Sequence, residues 1–272
     1  MEQLPAPPLP TPDLMRRLVG AERTCYLDWV RAMEAEPGNP FGIAAEAFGG
    51  ATALACRAIP AQIWNRVFGL TEAEAALVPS ILAFYREHGA DVLFDVPPTS
   101  VSPFWEGPNV LLTLARHGLY QGAFHQILYA APRTDVPHPP PNVGIEEVGP
   151  ERASDFVGLY EQVWGDGGAI RVLLGRPRFR SYIATVDGEP AALGVLHVAD
   201  GVGSMASALT APAFRGRGCQ TALLHRRIRD AAGAGCDLLA SQCRPGTASG
   251  TRCGLVFGLP APRRGGSGHR HR

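Results

Sequence analysis

Residues 202–224 read VGSMASALTAPAFRGRGCQTALL, and this stretch decides the fold. The first nine residues are small and apolar, as in a buried strand. The Asp200-Gly201 dipeptide before them marks a hairpin turn, because both residues accept positive φ. The last residues continue as a helix to about Ala234, with Leu224, Ile228 and Ala231 on an apolar stripe and Arg226, Arg227 and Arg229 toward water. Between strand and helix lies a loop rich in glycine and arginine. Its glycines let backbone approach a ligand and turn consecutive N–H groups toward it, while the helix start adds about half a positive charge. Arg215 and Arg217 add charge-assisted contacts, which suits a diphosphate better than a lone phosphate.

Outward from this stretch the pattern is regular. Residues 181–186 and 191–198 are apolar runs joined by Asp187-Gly188, so with 202–210 they form a three-stranded meander. Upstream, 142–147 is a strand, and Pro150 opens a helix carrying Phe156, Leu159, Tyr160 and Val163, broken by the WGDGG run at 164–168. Downstream, Gly233 and Gly235 stop the helix and 238–242 is a further strand.

Residues 130–142, AAPRTDVPHPPPN, hold five prolines, which deny helix and central strand. The sequence therefore divides into 1–131, a linker at 132–142, a second domain at 143–259 and a low-complexity tail at 260–272. In the first part, Thr71-Glu-Ala-Glu74 is a capping box opening a helix through Leu77, Ile81 and Phe84 to about His88. Strands are expected at 49–57, 91–96 and 124–129 and a helix at 109–117, with Trp64, Phe84, Trp105 and Phe124 in the core. Carboxylates at that helix start suit the dipole but repel a diphosphate, so no second anion site is expected there.

The chain has 272 residues, with 25 basic and 25 acidic side chains and zero formal net charge. Every basic residue counted is arginine, which excludes a P-loop and any Schiff-base lysine. Zero net charge and the lack of an aromatic-basic run argue against nucleic acid as a partner. The six cysteines form no CxxC pair, so neither a disulfide framework nor a zinc site is expected; Cys56 and Cys236 read as small core residues and no metal is called for. No apolar run approaches the ~20 residues that span a bilayer, so a cytoplasmic protein without membrane contact is expected.

The run Thr210-Ala-Pro-Ala-Phe-Arg-Gly-Arg-Gly-Cys-Gln-Thr-Ala-Leu-Leu224 resembles the acetyl-CoA-binding motif of the GNAT acetyltransferases, whose loop reads Arg/Gln-x-x-Gly-x-Gly/Ala. Gln220 stands where that motif has Gly or Ala. The order of elements from about 143 to 243 is also similar to that fold. The resemblance implies an α/β (α+β) protein: a GNAT-like mixed, mostly antiparallel sheet flanked by helices, in two tandem copies, the first degenerate. It implies acetyl-CoA as co-substrate, with backbone groups of Leu209, Thr210 and Ala211 along its pantetheine arm and amides of Arg215, Gly216, Arg217, Gly218, Cys219, Gln220 and Thr221 at its diphosphate. The acceptor would be a small-molecule or protein amine attacking the thioester directly, which needs a proton acceptor and a proton donor.

Members of the family often carry a Glu on the third meander strand as base and a Tyr after the next strand as acid. Residues 202–210 contain no carboxylate, and no tyrosine follows Gln242. Ser204 and Ser207 are candidates to position a water, though small residues on a strand more often pack. Cys219 reads as a bystander, His197 as a structural histidine and Asp166 as a turn former, so the catalytic residues stay unassigned. The segment 244–259, RPGTASGTRCGLVFGL, is short and glycine-rich beside the family's usual ending, which raises a deletion or shifted reading frame near Gly250. Two readings stay open: an acyl-CoA-dependent N-acyltransferase, and an acyl-CoA-binding protein that has lost its acid and base. They differ in turnover, not in binding.

Overall fold

The computed structural model describes residues 10–97, 109–122, 124–165 and 167–243. The expected positions at Trp105 and Asp166, the glycine-rich segment after Cys243 and the tail at 260–272 lie outside these residues.

The second half builds a six-stranded sheet. Its meander is β7 (Phe179–Val186), β8 (Glu189–Ala199) and β9 (Val202–Thr210), flanked by β6 (Val143–Val148) and β10 (Leu238–Cys243). Both hairpin turns take the backbone that Asp-Gly favours, with φ of 52° and 89° at Asp187 and Gly188 and 50° and 75° at Asp200 and Gly201. Helix α6 (Cys219–Gly233) covers one face, packing Leu223, Leu224 and Ile228 on Tyr182, Ala192 and Leu196. Helices α4 (Ala153–Trp164) and α5 (Gly168–Arg171) cover the other, where Phe156, Leu159 and Ile170 meet Ile183, Leu193 and Val195.

The first half repeats this succession in shorter form. Helix α1 (Pro12–Glu34) is followed by antiparallel strands β1 (Ile43–Phe48), β2 (Ala51–Cys56) and β3 (Arg66–Phe68), then helix α2 (Val78–His88), then β4 (Leu93–Phe94) parallel to β3. The second half likewise runs helix, three antiparallel strands, helix, and a strand (β10) parallel to the last of the three (β9). The chain is thus two tandem GNAT-like copies, the first degenerate. The capping box at Thr71 is present, but the turn it opens is 3-10 over Glu72–Leu77 before α2 begins.

Three expectations need correction. The strand expected at 124–129 is β5 (Gln126–Ala130), and it pairs antiparallel with β10, joining the second half's sheet instead of the first's. The proline-rich linker therefore connects the two edge strands of one sheet, β5 and β6. Phe124 is 71% exposed, whereas Trp64 and Phe84 are buried, each in its own hydrophobic cluster. Finally, α1 was missed, although its start is written in the sequence: the Thr11 hydroxyl accepts the Leu14 amide, Pro12 occupies the first position and Asp13 the first turn.

Helix α1 ties the halves together. Leu14 and Leu18 pack on Val202, Leu238 and Ala240, while Cys25, Trp29 and Met33 join a core containing Trp64 and Phe68 from one half and Leu173, Phe179 and Val195 from the other. The Trp29 indole donates to the Ala169 carbonyl at 2.6 Å, and Arg17 forks onto Asp237 at 2.5 and 3.0 Å. Leu18→Ala is expected to cost about 2–4 kcal/mol by leaving a cavity over β9 and β10. Urea unfolding followed by circular dichroism checks this, and a loss below about 1 kcal/mol would refute the seating of α1 on the second sheet.

Candidate active site

Strand β10 runs beside β9 for three residue pairs only: Leu238 with Val202, Leu239 with Gly203 and Ala240 with Ser204. Beyond them β9 continues to Thr210 along β8, while β10 continues to Cys243 along β5. The sheet is forked at Ser204 and Ala240. On the β9 side the Ala211 amide donates to the Ala191 carbonyl at 2.9 Å. Alternation along an antiparallel ladder then turns the backbone of Leu209 and Ala211 toward β8 and leaves that of Ala208 and Thr210 facing the opening. Of the three residues expected to offer backbone there, Thr210 is the one whose groups face that way.

Within the fork β9 carries an irregularity. Val195 pairs with Ser207 but Leu196 with Met205, so Ala206 is an extra residue and β9 bulges. Arg227 lies at this bulge. It was expected in water, but it is 2% exposed, and its guanidinium donates to the carbonyls of Val195, Ser207 and Leu223, each at 3.2 Å. Gly194 makes the room, since a Cβ there would come within 3.2 Å of the guanidinium. Arg226 does face outward, pairing with Asp230 at 2.8 Å, and Arg229 is exposed.

At the mouth of the fork, β9 passes through a short 3-10 turn, Pro212–Phe214, into the loop and α6. Gly216 and Gly218 take φ of 82° and 86°, a left-handed region costly for other residues. No side chain caps α6, and its first turn contains no acidic residue, so the amides of Cys219, Gln220 and Thr221 have no partner within the helix. Arg215 and Arg217 are exposed, the latter 5.4 Å over the Phe214 ring. Gln220, the departure from the motif, points back to the strand and donates to the Thr210 hydroxyl at 3.1 Å, tying helix to strand end. Cys219 is buried, and burial pushes its thiol pKa up, which disfavours the thiolate a nucleophile needs.

The opposite face of the fork belongs to α1. His197 is 1% exposed, with Nε2 at 2.9 Å from Asp28 of α1, and its Nδ1 has no partner among the described residues. Burial holds its pKa below the usual range against the pull of Asp28. The Ser204 hydroxyl, buried at the fork, likewise has no partner among the described residues. The corresponding helical start in the first half, the 3-10 turn before α2, is filled by the chain itself. Glu74 accepts amides from Gly50 and Thr71, both at 3.1 Å, and its pKa is lowered by the Thr71 hydroxyl and these amides.

The sequence model of the acetyltransferase (GNAT) family matches residues 149–249. The fold of the whole chain is similar to that of a GCN5-related N-acetyltransferase from Kribbella flavida, at 16% identity and a TM-score of 0.60, over 85% of this chain and 88% of that one. It is also similar to a conserved protein of unknown function from Staphylococcus epidermidis, at 11% identity and a TM-score of 0.51, over 80% of this chain and 90% of that one. No curated protein matches the chain. Both structures span most of this chain, so the likeness in fold extends beyond residues 149–249 to the half before them.

Among the described residues no helix is long and apolar enough to cross a membrane, and no cluster of three or more His, Cys, Asp or Glu is placed to hold a metal. Arg227→Met is expected to cost about 2–4 kcal/mol, because it leaves buried carbonyls without their charged donor. Arg229→Met should stay within about 0.5 kcal/mol. Urea midpoints of the two variants check this, and equal stabilities would refute the difference in burial.

Proposed function

We propose that the protein is an acyl-CoA-dependent N-acyltransferase using acetyl-CoA as donor and a small-molecule or protein amine as acceptor. The observation that carries this reading is the open fork set against an uncapped helix start free of carboxylates. A forked sheet offers an extended ligand a row of backbone donors and acceptors, and the helix start offers an anion its amides. The residues fit the donor's two chemistries. Backbone groups of Ala208 and Thr210 suit the amide-bearing pantetheine arm, while the amides from Arg215 to Thr221, with the guanidinium groups of Arg215 and Arg217, suit the diphosphate.

Gln220 supports the same reading because its side chain is drawn back to Thr210, away from the loop amides. In this reading the thioester is pre-formed chemistry supplied by the donor. The chain contributes orientation in the fork, and the acceptor reaches it from the α1 face. A place in the cytoplasm belongs to the same reading, since that is where acetyl-CoA and reduced thiols coexist. The rival reading, binding without turnover, shares the donor site and is separated from this one by rate alone.

Calorimetric titration of acetyl-CoA tests the donor site. Wild type is expected to bind in the micromolar range, about −8 kcal/mol at 1 μM. Arg217→Glu should weaken binding at least tenfold by placing a carboxylate beside the diphosphate. No heat with folded wild-type protein would overturn the reading.

A further inference from the structure

Strand β9 carries no carboxylate for the amine proton, but the first half places one at the fork. On β10 the side chains of Leu238 and Ala240 pack toward α1, so by the period of two Gln242 faces the same way. Gln242 lies two residues beyond Ala240, the last β10 residue paired with β9. Its side-chain amide donates to Oε2 of Glu22, which α1 carries one turn beyond Leu18. Glu22 therefore stands over the α1 side of the opening, opposite the face covered by α6.

We propose that Glu22 is the general base that accepts the proton of the attacking amine. This assignment rests on the acyltransferase reading above. The carboxylate is 13% exposed, so it is partly buried yet reachable. Its Oε1 is 3.0 Å from Arg66, which β3 supplies from the same half and which is itself 3% exposed beneath the Tyr26 and Phe68 rings. Arg66 also holds Asp95 at 2.8 Å. With two carboxylates on one guanidinium, protonating Glu22 leaves Arg66 paired with Asp95. A simple buried ion pair does not allow this, because a lone partner that took up a proton would strand its cation.

In the step proposed, the amine's electron pair forms the C–N bond to the thioester carbonyl carbon, one amine proton passes to the Glu22 carboxylate, and the C–S pair leaves on sulfur. Glu22 then returns its proton through solvent to the thiolate, so amine plus thioester becomes amide plus thiol. The charges facing Glu22 set its working range. Burial, helped by Asp95, raises its pKa to about 7 against the lowering effects of Arg66 from β3 and Gln242 of β10. Cys25 and Tyr26 on its own helix are both held neutral, their pKa values raised chiefly by burial.

The test measures thiol release from acetyl-CoA, alone and with spermidine, tyramine or a tripeptide bearing a free α-amine, from pH 5 to 9, together with acetyl-CoA affinity. Glu22→Gln should keep wild-type affinity and lose about a hundredfold or more in rate. The wild-type rate should rise through pH about 7, a limb absent from the variant. Release by Glu22→Gln at the wild-type rate, or a wild-type profile flat across pH 7, overturns the assignment alone. Tight binding with no release by wild type overturns both the assignment and the transferase reading and leaves a binding protein. Should Glu22→Gln fail to fold, Glu22→Asp with the wild-type pH profile decides: a slower rate with the limb retained supports the assignment, and an unchanged rate overturns it.

Discussion

A strand pair that separates after three residues exposes two rows of backbone N–H and C=O groups in the middle of a sheet, where protein interiors do not tolerate unpaired polar groups. The rest of the structure answers that demand. The outer edge of β10, away from the opening, is paired by β5, a strand taken from the other half of the chain. The bulge on β9 is held by Arg227, a charged donor buried where an apolar side chain would leave carbonyls unmet. The remaining edge, at Ala208 and Thr210, faces an opening that ends at a helix start without cap or carboxylate. Backbone rows left open beside such a helix start suit an extended ligand with an anionic end.

The degenerate first half makes sense in the same terms. Its own helix start is neutralised internally by Glu74, which removes any need for an external anion. Freed from that role, the half contributes to the other one: α1 packs over the face of the fork opposite α6, and β5 completes the sheet. The contacts that do this are spread along α1, from Arg17 on Asp237 through Glu22 on Gln242 to Asp28 on His197. They set one side of the fork with side chains 169–220 residues away in sequence.

That separation explains what could be read in the sequence. The meander and its two Asp-Gly turns, the loop and α6 are specified by neighbours a few residues apart, and the structure has them within about two residues of their expected bounds. The partner of β5 is not a local property. Its apolar residues fit either sheet, and nothing in residues 124–130 says which edge is free. The burial of Arg227 escapes a local reading for a related reason. Three arginines in a row of four on a helix look like a solvated face, and only the bulge beneath one of them makes a buried guanidinium favourable. Helix α1 was legible from Thr11-Pro12-Asp13 and the apolar spacing after it. Glu22, by contrast, looks like an ordinary helical glutamate until Gln242 and Arg66 are brought beside it.

The energetics of Glu22 separate a site from a strut. A carboxylate whose pKa is lowered by its partners adds stability above its unfolded pKa, as Glu74 does through the Thr71 hydroxyl and two amides. Glu22 is the reverse. Its folded pKa is raised from 4.5 to about 7, so the folded state favours its protonated form. Its contribution is therefore fully present below the unfolded value and is lost as pH rises through 7. A group kept for stability alone would do better as glutamine or a hydrophobe at neutral pH. Holding a carboxylate there, desolvated but paired through a guanidinium that has a second carboxylate, costs the fold something near pH 7 and places a proton acceptor where protons are easily exchanged. Opposed pKa shifts thus set apart two glutamates, one that seals a helical start in the first half and one that is held where it takes up a proton near neutral pH.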